Sequence, residues 1–122
     1  MIDHTGYTVA DFDRSVAFYT KALAPLGYKL VMTYQKYAGF GIDGKPEFWI
    51  EGGTAPSDKI HIAFRASGRD QVRAFYEAAL AAGGGDNGAP GLRPHYHENY
   101  YGAFVLDPDG HNVEAVCHDP YL

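Results

Sequence analysis

Four side chains with metal-ligating chemistry recur at matched places in this chain: His4 and His61, Glu51 and Glu114. The runs His4–Gly27 (HTGYTVADFDRSVAFYTKALAPLG) and His61–Gly84 (HIAFRASGRDQVRAFYEAALAAGG) lie 57 positions apart and share 9 identities in 24, both histidines included. Unrelated windows of ordinary composition share roughly one or two. Each copy closes on a glutamate within an apolar, strand-like run, FWIEG around Glu51 and NVEAV around Glu114. Glutamate is depleted from strands and is almost never buried unpaired, so one bound cation that neutralises both carboxylates explains the pair. Two imidazoles and two carboxylates suit Zn, Ni, Fe, Co or Mn, and without a thiolate there is no preference for a closed structural Zn site. Such an ion stabilises an oxyanion as it forms, and a glutamate of suitable basicity moves the proton. Glu51 and Glu114 are both candidates for that base, and the internal symmetry does not choose between them.

The elements that must position these groups repeat in the same order. His4–Val9 is β-prone; Asp11 offers an N-cap, and Phe12, Val16, Tyr19 and Leu23 fall at helical spacing before Pro25 and Gly27 end the run. Strands are expected over 28–34, 37–42 and 47–51. In the second copy a strand over 59–66 precedes Ser67-x-x-Asp70, which resembles a capping box, and a helix face of Val72, Phe75, Tyr76, Ala79 and Leu80. Strands over 101–106 and 111–118 flank the turn Asp107-Pro108-Asp109-Gly110. The strand before them is not placed, because residues 85–99 are rich in Gly, Pro and His. The pattern is βαβββ twice, module one 1–56 and module two 57–122. Either copy is too short for a core of its own, so the two are expected to pack as a single domain over 1–122.

Residues two positions from a ligand on the same strand face should line the pocket. That rule nominates Trp49 beside Glu51, with Asn112 and Val116 beside Glu114. Arg65, four residues past His61, would favour an anionic group on a substrate. The segment Arg93–Tyr101 is dense in His and Tyr and reads as a lid, with His97 and Tyr100 the candidates for pocket contacts. His111 belongs with the Asp107–Gly110 hairpin, His118 with a strand end, and Cys117 reads as a small buried apolar residue. Gly39–Gly44 matches the dinucleotide fingerprint in letters, but Lys45-Pro46 and another strand follow where a helix is required.

Composition narrows the classes. Ten basic against 15 acidic residues give a net charge of −5 with no basic cluster, which argues against nucleic acid as a partner. No apolar run reaches the roughly 18 residues of a membrane span, and Met1-Ile2-Asp3-His4 does not open like a signal peptide. One cysteine excludes an internal disulfide, and a cytoplasmic location is expected.

On the segments HTGYTVADFDRSVAFYTKALAPLGY and GAFVLDPDGHNVEAV the chain resembles the vicinal oxygen chelate superfamily, which holds glyoxalase I, extradiol dioxygenases and the fosfomycin and bleomycin resistance proteins. The resemblance implies an α+β fold of paired βαβββ modules forming a partly open β-barrel around a divalent metal. In glyoxalase I-like members each half supplies a His and a Glu, here His4, Glu51, His61 and Glu114. Extradiol dioxygenases and fosfomycin-resistance enzymes use two His and one Glu, which would leave Glu51 without that role. Bacterial glyoxalase I carries a glutathione-holding Arg four past the first His and an Asn four past the first Glu. Those places hold Thr8 and Ala55, against glutathione as co-substrate. The function so implied is a metal-dependent lyase or isomerase acting on a small oxygenated substrate, in a homodimer, with Arg65 the residue that would favour an anionic one. The alternatives are a metal-free drug- or metabolite-binding protein and an Fe(II) dioxygenase.

Overall fold

The computed structural model describes residues 1–120. Module one runs β1 (Thr5–Val9), α1 (Phe12–Leu23), a 3-10 turn (Ala24–Leu26), β2 (Lys29–Tyr34), β3 (Tyr37–Ile42) and β4 (Lys45–Gly52). Module two runs β5 (His61–Arg65), α2 (Arg69–Ala81), β6 (Gly85–Asp86), β7 (Gly91–Leu92), β8 (Tyr101–Leu106) and β9 (Asn112–Cys117). The expected βαβββ order therefore appears twice, in an α+β fold. The strand that could not be placed is split into β6 and β7, both paired with β8 and separated by a Gly- and Pro-bearing loop that cannot keep one ladder.

Asp11 caps α1 as expected, its carboxylate accepting from Arg14 N at 3.1 Å. At α2 the cap differs from the Ser67-x-x-Asp70 reading. Gly68 is the N-cap residue, and the Gln71 side chain reaches back to accept from Ser67 N at 2.8 Å. Glutamine three residues past the cap residue does the work expected of Asp70.

Sheet order is β1-β4-β3-β2 in one half and β5-β9-β8-β6 in the other, with each module's first and last strands parallel neighbours. α1 covers the first sheet, α2 the second, and the helices pack on each other. One buried cluster draws on both modules, including Phe18, Tyr19 and Leu23 of α1, Phe40, Phe48 and Ile50 of the first sheet, and Phe75, Val105 and Val113 of the second half. Because strand side chains alternate, the residues between these anchors face away from the helices. On the first sheet that open face holds Gly6, Thr8, Tyr37, Gly39, Trp49 and Glu51; on the second, His61, Ala63, Arg65, Phe104, Asn112 and Glu114.

A buried polar chain joins the modules. Tyr19 O–H donates to Asp107 Oδ2 at 2.6 Å, so Tyr7 must donate across its 2.5 Å contact with the Tyr19 oxygen. Burial pushes the Tyr19 hydroxyl well above its ordinary pKa, with the neighbouring Tyr7 and Asp107 adding to the shift. His111 does more than close its hairpin. Fully buried, it accepts from Ile60 N on Nδ1 at 2.9 Å, which leaves Nε2–H to donate to Thr8 O of module one at 3.1 Å.

Candidate functional site

The second sheet brings one predicted pair together. Ala63 lies opposite Glu114, so His61 sits two residues away on the adjacent parallel strand, and its Nε2 donates to Glu114 Oε1 at 2.9 Å. Glu114 is only 1% exposed, whereas the His61 side chain is about half open to solvent. The second carboxylate oxygen, Oε2, accepts the Tyr100 hydroxyl. Burial first, and that hydrogen bond second, raise the Tyr100 pKa, so the phenol keeps its proton. Tyr100 is wedged edge-on between Tyr96 and His118, with ring centroids at 5.0 and 5.4 Å. Gly102 makes room for it, since a β-carbon there would lie 3.1 Å from Tyr100 Cε1 and 3.4 Å from Glu114 Oε2. His97, the other candidate of this segment, does not join them; it accepts from Asn99 N and lies against His118.

The first sheet arranges its residues differently. His4 stands just before β1, exposed, and its Nδ1 donates to Asp3 Oδ1 at 2.7 Å. That bond and Lys45 hold the Asp3 carboxyl below its usual range. A carboxylate on Nδ1 fixes the ring and leaves Nε2 as the outward nitrogen, the arrangement common to metal-binding histidines. Glu51 lies opposite Thr8 on β1, four positions beyond His4, or about 13 Å along a strand at roughly 3.3 Å per residue. Its Oε2 accepts from Tyr37 O–H at 3.1 Å, which raises the Tyr37 pKa.

The register breaks the equivalence drawn between Glu51 and Glu114. Aligning His4 with His61 aligns Gly6 with Ala63; Gly6 pairs with Trp49, and Ala63 with Glu114. Trp49 therefore holds the place of Glu114, and Glu51 holds that of Val116. The indole lies over Gly39, where a β-carbon would approach the ring to 2.9 Å. It walls a cavity of about 620 Å³ that also takes in His4, Gly6, Tyr37 and Lys45. Among the described residues no three His, Cys, Asp or Glu side chains converge within one subunit. His61 and Glu114 meet; His4 and Glu51 each stand apart.

Asn112 lies opposite His61, and Arg65 is exposed on the same face as His61, as the strand rule required. Sequence reasoning passed over Tyr37, Asp3 and Arg93. Tyr37 had a readable signal, an aromatic at the start of the strand that pairs with β4. Arg93 had none, because its position depends on the loop between β7 and β8.

Tandem βαβββ modules with a histidine–carboxylate pair across the first and last strands of one half define a class of protein. The sequence profile of the Glyoxalase/Bleomycin resistance protein/Dioxygenase superfamily matches residues 1–115, and the chain belongs to that superfamily, the vicinal oxygen chelate proteins. A glyoxalase/bleomycin resistance protein from Albidiferax ferrireducens is similar at 26% identity and TM-score 0.82, over 96% of this chain and 98% of its own. A glyoxalase-related enzyme from Fulvimarina pelagi shares the fold at 20% identity and TM-score 0.74, over 96% and 87%. So does the fosfomycin resistance protein FosX from Mesorhizobium loti, at 18% and 0.70, over 96% and 91%. Among the described residues no helix is long and apolar enough to cross a membrane.

Proposed function

We propose that the protein is a divalent-metal-dependent, glyoxalase-like lyase or isomerase acting on a small oxygenated substrate, with its metal held by His61 and Glu114 of one copy and His4 of another. One observation carries the reading. Glu114 is a carboxylate at 1% exposure that faces an imidazole and a phenol but forms no ion pair with Lys or Arg among the described residues. A buried carboxylate calls for a cation, and the half-exposed His61 beside it offers the second ligand. His4, pre-oriented by Asp3, suits the third. When bound, such an ion supplies Lewis-acid stabilisation of adjacent substrate oxygens.

The rest is the work of the side chains. Tyr100 holds Glu114 Oε2 and so keeps that carboxylate from moving. Glu51 is exposed, tied among the described residues by the Tyr37 hydroxyl alone, and stands on the face that carries Trp49. Of the two glutamates it is the one free to accept and return a proton, and Trp49 forms an apolar wall beside it. Two histidines and one carboxylate also make the ligand set of non-haem iron oxygenases, so Trp49 in the fourth position lends weight to an Fe(II) dioxygenase as the second reading. Oxygen uptake with catechols after anaerobic iron loading would select it.

A homodimer suits the reading, because the helices pack within the subunit and the first sheet leaves Met32, Tyr34 and Tyr37 exposed on its far side. The test is complementation. His4→Ala and His61→Ala each lose metal alone. In a twofold dimer the mixed species carries one doubly altered and one intact site, so refolding the variants together should restore about a quarter of wild-type metal content. No recovery above the separate variants would rule out a site shared between copies.

The Tyr100 hydroxyl gives a smaller effect. Tyr100→Phe leaves Oε2 without its donor and should weaken metal affinity by about 10–100-fold, the range for an outer partner of a ligand. Calorimetric titration with Zn or Ni reads it, and unchanged affinity would remove Tyr100 from the site.

A further inference from the structure

Beside the His61–Glu114 pair, on the same open face, lies a cavity of about 380 Å³ lined by Asn87, Gly88, Arg93, Tyr96, Phe104 and Asn112. Its position follows from the register. Asn112 lies opposite His61 and Phe104 opposite Glu114, and the Phe104 ring is 6.4 Å from that of His61. The Arg93 guanidinium is fixed in place. Nη1 donates to Gly91 O and Nη2 to Ala89 O, each at 2.8 Å, and its carbon sits 5.4 Å from the Phe104 ring centroid. Two of its five N–H donors are used among the described residues, and both partners are neutral carbonyls. Among the described residues no carboxylate forms an ion pair with it, although the chain carries a net charge of −5.

We infer that this cavity is an oxyanion subsite in which Arg93 and the Asn112 amide take the carboxylate or phosphate-type group of the substrate. A rigid, half-buried guanidinium without a counter-charge is a poor stabiliser of the fold and a good receptor for a planar or tetrahedral anion. Asn87 Nδ2 donates to Asn112 Oδ1 at 3.2 Å, which orients the Asn112 amide and keeps its NH₂ as a donor. Arg93 thus adds a second, anchored cation to the open face that also carries the exposed Arg65. The inference rests on the proposed function only in joining this subsite to the reacting centre, whose substrate class it names.

The test needs no metal. The full chain in EDTA is titrated separately with inorganic phosphate, acetate and the neutral acetamide, followed by amide and Arg Nε–H NMR shifts. Phosphate or acetate should move the Arg93 Nε–H and Asn112 side-chain signals saturably, while acetamide should not. The tighter of the two anions names the source, and equal affinity means that the site reads charge alone. Arg93→Gln should weaken binding by at least about tenfold, and Arg93→Lys should not restore it, because the fork is lost. Wild-type protein that binds neither anion, or anion binding that Arg93→Gln leaves unchanged, overturns the inference. Should the glutamine variant fold poorly, the location of the shifts in wild type decides. Loss of metal binding elsewhere leaves every one of these readouts in place, so the two readings fail separately.

Discussion

Glu114→Gln should lose its metal while Glu51→Gln keeps a full equivalent. The two residues looked interchangeable as ends of matched strands, and their surroundings separate them. Glu114 is buried against His61 and Tyr100; Glu51 is exposed, opposite Thr8, with one hydrogen bond from Tyr37. Glutamine at 114 keeps the shape and can still accept from His61 or Tyr100, so the fold should survive. What disappears is the charge of a carboxylate screened from water, which would balance the cation. The fall in affinity should therefore exceed the roughly 10–100-fold typical of removing a ligand's outer partner. Glu51→Gln keeps the metal and loses a movable proton acceptor, so turnover should drop by about 100- to 10,000-fold with metal content unchanged. Elemental analysis of the two variants after identical loading decides. Equal metal loss in both would make Glu51 a ligand and restore the symmetric four-residue set.

The chain shows its doubling openly and its register poorly. The two histidines were legible because a 57-residue offset carries the first strand and helix of one module onto the other without a gap, whereas Asp11, which that offset lays on Gly68, was legible from its own residue type before an apolar run at helical spacing. The last strands do not obey that offset. Trp49 and Glu114 occupy equivalent places although they lie 65 positions apart, because module two spends eight more residues on the broken β6–β7 edge and the loop after it. Alternation puts Trp49 and Glu51 on one face of β4 whatever the register, so the sequence could place Glu51 on the open side but not say what it faces. Only the pairing with Gly6 and Thr8 does that. The same broken edge concealed Arg93, whose anchors are backbone carbonyls and leave no mark in residue type. Tyr100 was found by its neighbours in a His- and Tyr-rich run; its hold on Glu114 depends on the space at Gly102, a long-range fact.

Asp107→Ala should be the most destabilising of the polar substitutions, costing about 3 kcal/mol or more, roughly 10 °C in Tm. Asp107 is buried at 4% exposure and serves three donors: Tyr19 O–H, Asp109 N and His111 N. Alanine leaves all three without an acceptor, and an unmade buried hydrogen bond costs far more than a made one contributes. The damage should spread across the module boundary. Tyr19 belongs to α1, and Tyr7 donates to it from β1 while its ring lies 4.1 Å from that of His111, whose Nε2–H reaches Thr8. Asp107→Asn separates the causes: its carbonyl still accepts from the backbone, and the Tyr19 oxygen can accept from its NH₂, so the loss should be nearer 1 kcal/mol. Thermal melts of the two variants read the difference. Hydrogen exchange then tells where it acts, since release of the Thr8–His111 tie should raise exchange at Ile60 N, whose acceptor is the other nitrogen of that ring. An alanine variant that melts with wild type would mean that water reaches this chain and that it does not join the halves.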